Sequence, residues 1–135
     1  MMGPYVYEAA RADAPIHVQI LRVGSTPRGA HSDSVRVHGR VVRIFRDRED
    51  VLHWWQRVSF LIPVIDRERT GSPELSGTIY HDWEWMGRAR WFEVFLESWN
   101  GEIHLVRSQV IAIRHPTVQP VCGPDAKGFL CEGTF

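Results

Sequence analysis

Lysine is almost missing from this chain: of its sixteen basic side chains only Lys127 is a lysine. Sixteen acidic groups balance them, so no net charge of one sign draws in polyanions or anionic lipid, and sequence-independent nucleic-acid binding is disfavoured. No run reaches the roughly 18 to 20 apolar residues of a membrane span, and Met1-Met2-Gly3-Pro4-Tyr5 lacks the basic start and apolar middle of a secretory signal. A cytoplasmic chain without a membrane partner is expected. There is no glycine-rich nucleotide loop, no Gly-x-Ser-x-Gly elbow and no His-Glu-x-x-His run, which removes the commonest readable enzyme classes. Cysteine is scarce too. Cys122 and Cys131 fit no common zinc spacing, so no metal or other cofactor is implied. They are close enough in sequence for a disulfide, with two free thiols in a reducing compartment as the other reading.

What the sequence does hold is a hairpin. Arg88-Ala-Arg-Trp-Phe-Glu-Val-Phe-Leu-Glu-Ser-Trp and Glu102-Ile-His-Leu-Val-Arg-Ser-Gln-Val-Ile-Ala-Ile are β-prone runs joined by Asn100-Gly101. Both central residues of a type I′ turn need φ > 0, which Asn and Gly tolerate. A two-residue turn places Trp99 opposite Glu102, Glu97 opposite His104, Phe95 opposite Val106 and Glu93 opposite Ser108. Leu96 and Leu105, with Phe92, Val94 and Ile103, form one apolar face, while Trp91, Glu93, Phe95, Glu97, Trp99 and His104 share the other.

The 135 residues suit a single domain, read as an arm over 1–15, a β core over 16–115 and an irregular tail over 116–135. The arm has room for a helical turn at Glu8-Ala-Ala-Arg-Ala. Residues 16–23 alternate Ile16, Val18 and Ile20 against His17, Gln19 and Leu21, a first strand. Residues 34–46 are a long strand whose apolar phase moves from Val35, Val37 and Val41 to Val42 and Ile44. Such a change requires a bulge, and Gly39 is the residue that tolerates one. Asp47 is placed to cap the turn that follows, and residues 54–66 form the next strand, with Pro63 at an edge or a bulge. Residues 67–77 are a loop. Residues 78–87, rich in aromatics, are read as strand, and the tail adds none.

Val37-His-Gly-Arg-Val-Val-Arg-Ile-Phe-Arg, a charged loop and Gln56-Arg-Val-Ser-Phe-Leu-Ile-Pro-Val together resemble the first two strands of an OB-fold, whose glycine-bent first strand curls round a five-stranded barrel. The resemblance covers about a third of the chain. The family places a helix between its third and fourth strands, and only residues 80–88 could supply one. It implies a ligand across the second and third strands, bringing forward Trp55, Arg57 and Ser59. The expected class is therefore all-β: an antiparallel five- to six-stranded barrel, OB-like, or a small β-sandwich.

Aromatic planes at Trp91, Phe95 and Trp99, interleaved with Glu93 and Glu97, suit stacking on a sugar or enclosing a cation, with a second core layer or a subunit interface as the plainer account. The preferred function is a non-catalytic binding module for a small ligand, sugar or protein, using this face with Trp55 and Arg57. One alternative is a structural protein that buries the face in a homodimer. Another is a metal-assisted hydrolase using Glu93, Glu97 and His104. Arg36, His38 and Arg40 share one strand face and could meet an anion, with a solvated edge as the plainer account.

Overall fold

The computed structural model describes residues 5–26, 33–65, 81–125, 128–131 and 134–135, of which 5–8, 122–125 and 128–131 are described as backbone. The elements run α1 (Tyr5–Asp13), β1 (Ile16–Ser25), β2 (Ser34–Asp47), β3 (Arg57–Pro63), α2 (Trp83–Met86), β4 (Trp91–Trp99), β5 (Glu102–Ile113), β6 (Cys122–Asp125) and β7 (Gly128–Cys131). The expected loop at 67–77 lies outside the described residues.

Five strands form one antiparallel sheet in the order β3-β2-β1-β4-β5. Its edge strands β3 and β5 pack against each other without a hydrogen-bonded ladder, so the sheet curls into a barrel-like shell that is not closed. The curl comes from β2. Against β1 its register slips at Val42 and again at Phe45, and β1 slips at Val23. Each extra residue bends and twists its strand. At Gly39 a Cβ would come within 2.7 Å of Ile20 Cδ1 and 3.0 Å of the Leu21 carbonyl oxygen, so the close approach of β1 to β2 there needs a residue without a side chain. Asp47 caps the following turn as expected, its carboxylate accepting from the Val51 and Leu52 amides at 3.3 and 2.8 Å.

The inner face of the shell gathers Ile16, Val18, Ile20, Val37, Phe60, Ile62, Phe92 and Leu96 into the main core. A second apolar layer lies outside β4 and β5, where Phe95, Val106, Ile111 and Ile113 pack with Ala10 and Ala14 and with Val121. The arm is thus a helix and not a single turn. Arg46 holds its end, donating to the Ala14 carbonyl at 2.7 Å and to that of Arg11, while Arg107 Nε reaches Asp13 at 2.8 Å.

Three expectations are corrected. Of the strand expected at 78–87, residues 78–80 lie outside the described residues, His81 makes a single bridge to Val64, and Trp83–Met86 is a short helix, because Asp82 accepts the Glu84 amide at 3.1 Å as an N-cap and Trp83 stacks on Phe92 with Arg22 over both rings. The tail, expected to be irregular, pairs with itself as β6 and β7, and among the described residues it adds no strand to the main sheet. The hairpin register holds from the Asn100-Gly101 turn to Leu96 opposite Leu105, then shifts, so Val94 faces Val110 and Glu93 faces Ile111 instead of Ser108. Arg107 and Ser108 absorb the extra residues at φ 54° and 57°, and the Ser108 carbonyl takes a 2.7 Å hydrogen bond from His81 Nε2.

Candidate functional site

The aromatic and acidic row of β4 divides along its length. Glu93 and Phe95 are fully buried, Trp91 is half-buried, Glu97 is exposed and Trp99 is 66 % exposed at the hairpin tip. Glu97 does stand opposite His104, but the carboxylate nearest the imidazole is Glu102 on its own strand, 3.6 Å from Nε2. The binding face anticipated for Trp91, Glu93, Phe95, Glu97 and Trp99 is therefore not one open surface.

Glu93 instead organises a buried polar network. Its Oε2 lies 3.0 Å from His17 Nε2, and its Oε1 accepts from Gln19 Nε2 at 2.8 Å and from the Val121 amide at 3.0 Å. Gln19 also reaches Thr117 Oγ1 at 2.7 Å and accepts the Thr117 amide at 2.8 Å. Phe95 and Phe45 flank the His17 ring. Burial of polar groups is tolerated only where partners are supplied, and here they come from β1, β4 and the segment after β5. The network pins that segment over the second core layer. Alternation in β1 had set His17 and Gln19 on this face, but the segment that covers them has no periodicity and gave no signal.

An accessible arrangement lies on the outer face of β2 and β3. Arg36 stands opposite Leu61, His38 opposite Ser59 and Arg40 opposite Arg57. Period-two geometry sends Val35, Val37, Val58, Phe60 and Ile62 into the core and these residues outward. Neither strand stretch, 34–40 or 57–63, contains an aspartate or glutamate. Arg36 Nη1 donates to Ser59 Oγ at 3.1 Å, and Arg40 Nη1 to the Trp55 carbonyl at 3.1 Å with its guanidinium over the Trp55 ring. Trp54 and Trp55, 68 % and 41 % exposed, lie side by side with ring centroids 5.4 Å apart at the start of β3.

Two hollows open beside Arg57 and Ser59. One, about 470 Å³, is lined also by Val23, Gly24, His38 and Gly39. The other, about 410 Å³, reaches the hairpin turn and is lined by Arg36, Leu61, Gly101, Glu102, Ile103 and His104. Planar guanidinium groups match carboxylate and phosphate oxygens in pairs, and exposed indoles offer flat apolar surface to a ring. The outer face can thus hold an anion and stack a planar group at one end.

Among the described residues no three His, Cys, Asp or Glu side chains are grouped to hold a metal ion. No described helix is long and apolar enough to cross a membrane. Comparison with family models and with curated proteins finds no match.

Proposed function

We propose that this protein is a non-catalytic binding module of OB-like architecture whose ligand lies across the outer face of β2 and β3. The resemblance moves by one strand. β1, which pairs with both β2 and β4, takes the place of the family's first strand, and α2 falls in the connection between the third and fourth strands. OB barrels bind across strands two and three and at the loops after strands one and four, here β2, β3 and the Asn100-Gly101 turn.

The observation that carries the reading is Arg40 directly opposite Arg57 with no carboxylate on the same strand stretches. Like charges facing each other across a ladder destabilise it, a cost that an anionic ligand would reverse. The ligand is an extended anion bearing planar groups, and single-stranded nucleic acid has that chemistry, its phosphates for the arginines and its bases for Trp54 and Trp55. Zero net charge weakens long-range attraction, but it does not weigh against a ligand held by four local groups, Arg36, His38, Arg40 and Arg57.

Quenching of tryptophan fluorescence by a single-stranded oligothymidine tests this. Saturable quenching that weakens with salt is expected, and Arg40→Glu with Arg57→Glu should abolish it while leaving circular dichroism unchanged. Binding that survives this double substitution would place the ligand elsewhere.

A further inference from the structure

The backbone of β6 and β7 places the two cysteines of this chain in register, Cys122 opposite Cys131. Asp125 and Gly128 close the pair across two intervening residues, and a two-residue connection makes its flanking pair hydrogen-bonded. Alternation then makes Pro124 and Phe129 a non-hydrogen-bonded pair, Gly123 and Leu130 a hydrogen-bonded one, and Cys122 and Cys131 again non-hydrogen-bonded. Pro124, which has no amide hydrogen, falls on a position that needs none. Non-hydrogen-bonded antiparallel partners have Cα atoms about 4.5 Å apart, within the span that a disulfide bridges.

We propose that Cys122 and Cys131 are a reversible dithiol–disulfide pair that staples the C-terminal segment to the barrel. The segment is anchored on both sides of the pair. Before it, the Val121 amide donates to Glu93, and after it Thr134 bridges Ile113 and the Phe135 amide donates to the Ala112 carbonyl at 2.8 Å. Cross-linking the base of the hairpin turns two separate attachments into one closed strap over the second core layer. In the reaction two S–H bonds break and one S–S bond forms. Two protons and two electrons pass to a small-molecule disulfide, which is reduced to two thiols.

The test uses the full chain equilibrated in glutathione redox buffers, blocked with a maleimide and weighed intact. Only two species are expected, one with both thiols blocked and one lighter by two hydrogens with neither blocked, exchanging at a single midpoint. Cys131→Ser should instead accumulate a glutathione adduct on Cys122. Stable glutathione adducts on both cysteines of the parent chain, or disulfide-linked dimers, would overturn the pairing. Hydrogen exchange at the Val121 and Phe135 amides should slow roughly tenfold or more on oxidation, because the strap opens less often. Equal rates in the two redox states would overturn the stapling.

Discussion

His17 Nε2 and Glu93 Oε2 stand 3.0 Å apart with both side chains shut away from solvent. Removing one partner of such a pair strands the other, and removing Glu93 also leaves Gln19 Nε2 and the Val121 amide short of an acceptor. Glu93→Ala is expected to cost about 3–5 kcal/mol in urea unfolding. A loss below about 1 kcal/mol would mean that the network does not hold the segment after β5.

The same geometry separates Phe95 from Trp99, which the sequence sets on one face of one strand. Phe95→Ala should cost roughly 3–5 kcal/mol and Trp99→Ala less than about 1 kcal/mol, since the first empties a packed site and the second an exposed one. Thermal melts of the two variants beside the parent decide this, and equal losses would contradict the division.

How much of this was legible in the sequence depends on where the deciding residues lay. Asn100 and Gly101 adopt φ 52° and 77°, so the turn and the pairs Trp99 with Glu102 and Glu97 with His104 follow from two letters. The register failed beyond Leu96 because Arg107 and Ser108 take left-handed conformations that neither residue type announces. They are held from outside, by His81 on the Ser108 carbonyl and by Asp13 on the Arg107 guanidinium. The phase change of β2 announced its bulge, but the register slips at Val42 and Phe45 and not at Gly39, which stays paired with Arg22 and Val58. A second core layer was one reading of the aromatic row, and it holds for Phe95, but its cover was hidden, because α1 and the residues near Val121 show no repeat of their own. The arginine face was visible as Arg36, His38 and Arg40. Its partner Arg57 became its neighbour only through the pairing of β2 with β3.

Gly39→Ala should lower stability by about 1–3 kcal/mol, because the new methyl group meets the tip of buried Ile20 and the Leu21 carbonyl oxygen together. A shift in the urea midpoint with unchanged slope checks this, and an unchanged midpoint would remove the close-approach explanation of the glycine.

Burial lowers the pKa of the His81 imidazole from its ordinary value near 6.5, while the Ser108 carbonyl acts in the opposite direction with smaller effect. The folded state therefore favours the neutral ring, and the unfolded chain takes up a proton first. Stability from this group is complete above about pH 6.5 and is lost as pH falls towards the lower folded value. Urea melts at pH 7.5 and 5.5 should show a larger acid loss for the parent than for His81→Gln. Equal losses would show that His81 does not contribute.

The binding surface is tested most directly by following backbone amide and indole resonances while a single-stranded oligothymidine is added. Shifts should concentrate at Arg36, His38, Arg40, Arg57 and Ser59 and at the Trp54 and Trp55 indoles. An unperturbed spectrum at saturating oligonucleotide, or shifts confined to the β4–β5 tip around Trp99, would contradict this.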